Sequence, residues 1–147
     1  MYELSLNQDQ KLDWIRDQLD LINEGKIDLE NVSNCFVGAI KNEQNDRIKA
    51  SLLSALGRLG NQAHVEVITP FLHAKNDRVR ANAVEALGYL LPPGDRSVLL
   101  NCFEDHNNRV VGNAIMALSQ DSPEESKKAM QALCQGSNIN EQLTAVY

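Results

Sequence analysis

Apolar residues recur along this chain at the three- and four-residue intervals of a helix buried on one side. In NDRVRANAVEALG, residues 76 to 88, and the two residues after it, Val79, Ala83, Val84, Ala86, Leu87 and Leu90 fall on one side. Arg78, Ala81, Glu85 and Tyr89 are left opposite. The pattern occurs 31 residues earlier in NDRIKASLLSALG, filled by Ile48, Leu52, Leu53, Ala55, Leu56 and Leu59. It occurs again 31 residues later in NNRVVGNAIMALS, filled by Val110, Ala114, Ile115, Ala117 and Leu118. Asn45, Asn76 and Asn107 each stand three residues ahead of the first apolar position, where an Asn side chain can accept from a free amide of the first turn. The spacing predicts three N-capped amphipathic helices in one repeating unit.

A second, less regular apolar segment lies between these helices. Val67, Ile68, Phe71 and Leu72 line a face of QAHVEVITPFLHAK, and Val98, Leu99, Cys102 and Phe103 line one of DRSVLLNCFEDH, so each repeat reads as two helices. Pro70 removes a backbone donor inside the first of these and predicts a kink. Gly60, and later Pro92, Pro93 and Gly94, stop the preceding helices. Upstream, Leu12, Ile15, Leu19 and Ile22 form an amphipathic helix ended by Gly25, and Leu29, Val32, Phe36 and Ile40 form the first helix of repeat one. Downstream, Ser122, Pro123 and Glu125 predict a capping box with Pro at the first helical position, opening a helix with Ala129, Met130 and Leu133 that stops near Gly136. A last helix, NINEQLTAVY, presents Ile139, Leu143 and Val146 without a stop signal. It predicts a truncated repeat, a parent protein that continues, and weak self-association through this end. The resulting division is an acidic capping helix over 1–28 and repeats over about 29–60, 61–91, 95–120 and 122–147.

Composition supports helices and narrows the partners. The chain has 147 residues, 43% of them hydrophobic but only 5% aromatic, with 4 prolines, which suits one all-α domain. Its net charge of -6 is uneven: residues 1 to 44 hold 9 acidic against 4 basic residues, a balance of -5 that leaves -1 for the rest. A near-neutral repeat region offers a phosphate backbone little, so no nucleic-acid partner is expected. No apolar run approaches the ~20 residues that cross a bilayer, and no leader pattern opens the chain, so a cytoplasmic protein without a membrane partner is expected. Cys35, Cys102 and Cys134 show no CxxC spacing and are expected as buried thiols.

With its helix pairs of about 31 residues and NDRVRANAVEALGYL opening the second helix, the chain resembles the short HEAT repeats of bilin-lyase-type proteins. Ankyrin and tetratricopeptide signatures are absent. The resemblance is strong over 45–120 and implies an α-solenoid, an α-α superhelix of about four helix pairs. It also implies that Arg47, Arg78 and Arg109, near acidic residues such as Asp46 and Asp77, tie neighbouring repeats together, a reading favoured over anion binding. Ala50, Ala81 and Gly112 are expected to permit close helix approach.

No catalytic constellation emerges. His64, His73 and His106 share no repeat position and form no HxxxH or HExxH, and the His-Glu pairs of deoxyhypusine-type HEAT hydroxylases are missing. No metal, cofactor or enzymatic activity is expected. In such solenoids the second helices line the inner side, and their exposed residues form columns: Ser51, Asn82 and Asn113; Ser54, Glu85 and Met116; Arg58, Tyr89 and Gln120. Tyr89 and Met116 among small polar residues suit a protein-binding surface. The expected function is a non-catalytic scaffold that binds a partner protein or another domain of its parent chain. The alternatives are a subunit of a bilin lyase or isomerase complex and a HEAT-like DNA-repair protein, the latter disfavoured by the charge.

Overall fold

A computed structural model describes residues 5–135. Among them it shows α1 (Gln8–Asn23), α2 (Leu29–Asn42), α3 (Asp46–Arg58), the short α4 (His64–Ile68) continued by a 3-10 turn at Thr69–His73, α5 (Asp77–Leu90), a 3-10 segment at Arg96–Glu104, α6 (Asn108–Leu118) and α7 (Pro123–Cys134). No strand occurs among the described residues. The protein is an all-α solenoid. The last helix expected from the sequence, its truncated repeat and the self-association through it lie outside the described residues.

The three asparagines cap as their spacing predicts. Asn45, Asn76 and Asn107 each accept from the amides two and three residues on, opening α3, α5 and α6. These second helices stack, with α5 packed chiefly on α3 and α6. Their apolar columns are the core: Ile48, Leu52, Leu53, Leu56, Val79, Val84, Leu87 and Leu118 are essentially inaccessible. The stacking is closest at glycines. A Cβ on Gly57 would lie 2.7 Å from the Cα of Ala86, and one on Gly88 would lie 3.0 Å from the Cβ of Ala117. Only a residue without a side chain lets the backbones approach this far. Gly60 and Gly94, both at positive φ, turn the chain after α3 and after α5.

The first helices depart from a regular α-helix. Pro70 does not merely kink its segment: the α-helical hydrogen bonding ends at Ile68 and a 3-10 turn follows. In the next repeat the whole first helix is 3-10. Side chains three residues apart eclipse in that geometry, so Leu99 and Cys102 share the buried side while Val98 is rotated into solvent. Val98 is thus not a core residue as its helical spacing predicted. Two further corrections concern local chemistry. Ser122 makes no side-chain cap bond, so α7 starts on Pro123 without the capping box. Cys134 is exposed and Cys35 half-buried, so only Cys102 is a buried thiol, its pKa raised to about 11 by desolvation first and by the Asp105 charge second.

At the other end α1 packs on α3, in the place a preceding second helix would occupy. Trp14 meets Phe36 edge-on with ring centroids 5.5 Å apart. Lys11 reaches from α1 to Glu43, a buried ion pair at 2.8 Å.

Candidate functional site

The candidate columns belong to one stripe, because positions 47, 51, 54 and 58 of α3 advance by three and four residues, as do their equivalents in α5 and α6. Arg58, Tyr89, Met116 and Gln120 are exposed, and Ser51, Ser54, Glu85 and Asn113 are half-buried. Tyr89 at 67% and Met116 at 69% are the most exposed of the large apolar side chains described. Two grooves meet at Tyr89. One, of about 680 Å³, runs between the C-terminal half of α1 and the end of α3, with Leu19, Ile22, Leu29 and Leu59 along it and Arg58 at its side. The other, of about 290 Å³, lies between α5 and α6, lined by Glu85, Gly88, Arg109, Asn113 and Met116.

Asn82 does not belong to this open surface. It is buried, donating from Nδ2 to the Ala50 carbonyl at 2.7 Å, and Asn113 repeats the bond onto Ala81 at 2.9 Å. Ala81, expected opposite the core, is fully buried because the neighbouring helix passes over it. Ser51 holds the same column position in α3, where no second helix precedes, and its hydroxyl turns back to the Arg47 carbonyl at 3.1 Å. The column is therefore an inter-repeat amide ladder for two of its three members.

The arginine ladder also needs correction. Arg109 ties repeats, donating to Asn82 Oδ1 at 3.2 Å. Arg47 and Arg78 are exposed and make no side-chain bond among the described residues. The guanidinium that joins repeats is Arg80. Its Nε and Nη2 donate to the two oxygens of Asp105 at 2.7 and 2.9 Å, Nη2 also reaches Asp77 at 2.7 Å, and Nη1 donates to the carbonyls of Ala74 and Lys75. Burial pushes the Asp105 carboxyl up, but the Arg80 bonds, the Asn107 amide and the nearby charges hold it below its ordinary value. Asp77 is also held low, first by its bond to Arg80. The bidentate pairing fixes geometry as well as charge.

The same loop position one and two repeats earlier shows what the helical pattern concealed. Positions 43, 74 and 105 carry Glu, Ala and Asp. Glu43 and Asp105 each accept from the amide of the following cap asparagine and each meet a cation, Lys11 or Arg80. Ala74 cannot, and Lys49, the repeat equivalent of Arg80, pairs with Asp46 in its own helix at 3.5 Å. A carboxylate two residues before a cap asparagine was the available signal, broken by its middle member.

The histidines do not converge. His64 is buried between helices, its Nδ1 donating to the Leu56 carbonyl at 3.3 Å while the neutral ring's Nε2 accepts from the Ser33 hydroxyl. Neither Ser33 nor His64 lines either groove described above. This is a structural clasp between α2 and α4. His106 lies over Asp77 and Asp105, and His73 is exposed. Among the described residues no group of three His, Cys, Asp or Glu side chains could hold a metal ion, and no helix is long and apolar enough to cross a membrane.

Comparison with known proteins adds one finding. A family model for HEAT repeats matches residues 36–119, more than half of the chain. No curated protein matches the sequence.

Proposed function

The chain belongs to the HEAT-repeat family, whose repeats generally mediate protein–protein interaction, and we propose that it is a non-catalytic scaffold in the cytoplasm. It binds a partner protein, or another domain of its parent chain, through the inner face made by α3, α5 and α6. The partner is protein rather than nucleic acid or membrane. The observation that supports this reading is the pair of exposed side chains Tyr89 and Met116, set beside two grooves that both include Tyr89. Both side chains supply large contact area at small entropic cost and are enriched where proteins recognise one another.

The test is affinity capture from the source cells with the native chain and with a Tyr89→Ala, Met116→Ala variant of equal thermal midpoint. The expected outcome is one or a few partners captured by the native chain and lost from the variant. Capture that is indifferent to both substitutions would move the interaction off this face.

A further inference from the structure

We propose that the stripe of the second helices docks an acidic, extended protein segment, whose carboxylates pair with arginines while an apolar side chain seats against Tyr89 and Met116. This rests on the interaction reading above and names the chemistry of its partner.

The motivating observation is a charge inversion. The stripe comprises the twelve positions 47, 51, 54 and 58 of α3 and their equivalents in α5 and α6. They include Arg47, Arg58, Arg78 and Arg109 against the single carboxylate Glu85, a balance of 4 - 1 = +3 in a chain whose formal net charge is -6. None of the four guanidiniums has a carboxylate partner among the described residues, and Arg109 has only the Asn82 amide oxygen. Arg80 and Arg16, off the stripe, are both held by carboxylates. Arg16 and Asp20 also line the groove beside Arg58, with Arg16 held by Asp13 and Asp17. Like charges gathered on one face repel weakly in water and gain when a complementary face neutralises them.

The spacing favours a peptide. Packed helices lie about 8–10 Å apart, and the glycine contacts set α3, α5 and α6 at the near end of that range. An extended chain advances roughly 3.3 Å per residue, so carboxylates two or three residues apart meet the successive rungs Arg47, Arg78 and Arg109. The guanidinium fork then takes each carboxylate in two parallel bonds. A nucleic-acid strand fits less well, because Glu85 stands in the middle of the stripe and the exposed Tyr89 and Met116 are flanked by apolar groove walls.

The experiment uses the full chain and a labelled synthetic peptide with Glu at every third position around a central Leu. Its controls are the same peptide with Lys for Glu and a single-stranded oligonucleotide of equal charge. Fluorescence anisotropy is expected to show binding of the acidic peptide alone, weakened as salt rises from about 50 to about 200 mM. Reversing Arg47→Glu, Arg58→Glu and Arg78→Glu together is expected to weaken it by about tenfold or more, and reversing the exposed Lys41→Glu and Lys127→Glu by less than about twofold. An unchanged thermal midpoint checks the fold of the triple variant, and Arg→Gln at the same positions replaces it if the midpoint falls. No binding of the acidic peptide, binding indifferent to the arginines, or equal binding of the oligonucleotide would each overturn the proposal. If the peptide fails while capture still depends on Tyr89 and Met116, only the partner's chemistry is wrong. If both fail, the interaction reading falls with it.

Discussion

The junction between α3 and α5 and the junction between α5 and α6 repeat one packing scheme and close it with different chemistry. Both seat a glycine on an alanine and both run an asparagine amide to a helix carbonyl. The first has little else of a polar kind, since Ala74 stands where a loop carboxylate would and Lys49 turns to Asp46. The second adds the Arg80 fork on Asp105, an Asn107 bond to Asp77, the Arg109 bond to Asn82 and an Arg96 bond to the Ala117 carbonyl. The first is held by close apolar contact and the second by a buried ionic network as well. Repeats that look alike in their apolar columns can therefore respond to different perturbations.

Substitutions can separate the two. Leu87→Ala, at a fully buried position of the helix common to both junctions, is expected to loosen each of them and to cost about 4 kcal/mol by chemical denaturation. A silent change there would mean that the helical register is wrong. Arg80→Ala strips Asp105 of its partner and leaves a largely buried carboxylate, for an expected loss of about 3 kcal/mol, with hydrogen exchange faster in α6 than in α3. Equal acceleration in both helices would erase the contrast. Gly57→Ala is expected to cost about 1 to 2 kcal/mol, because the new methyl meets Ala86 backbone and overpacking outweighs the helical gain. Gly88→Ala, against a methyl group at 3.0 Å, should fall near zero by the same measurement.

Acid sharpens the comparison further. The Asp77 and Asp105 carboxyls lie below their unfolded values, so the stability they contribute is complete above the ordinary carboxylate range of about 4. It is lost as pH falls through the depressed folded values. The native chain should then lose stability more steeply between about pH 5 and pH 2 than the Arg80→Ala variant, as read from urea midpoints. Parallel acid limbs would show that the network contributes no linkage. Smallest of all, Glu85→Ala is expected to shift stability by no more than about 0.5 kcal/mol.

The capped helices, the period and the buried columns were legible because each follows from residues close in sequence. Asn76 and Val79 are three residues apart, and that distance is all a cap signal requires. Arg80 was not legible because its partner Asp105 lies 25 residues away and the pair has no full set of repeat equivalents: Ala74 breaks one column and Val111 the other. Asn82 misled for a related reason, since facing away from its own core does not reveal that a neighbouring helix covers it. Tyr89 and Met116 were placed correctly in solvent, because their column lies beyond the reach of the next helix.

The broken loop column also bears on how such a chain could lengthen by duplication of its own coding segment. A tandem copy of the middle repeat would bring its own Arg78, Ala81 and Asn82, so the amide ladder would continue without change, each asparagine finding a carbonyl on one side and a guanidinium on the other. The new boundary would nevertheless set Arg80 of one copy against Ala74 of the next and leave the guanidinium facing a methyl group. A single codon change, Ala74→Asp in the inserted copy, would restore the fork. The middle unit is thus one substitution away from being a template for indefinite extension.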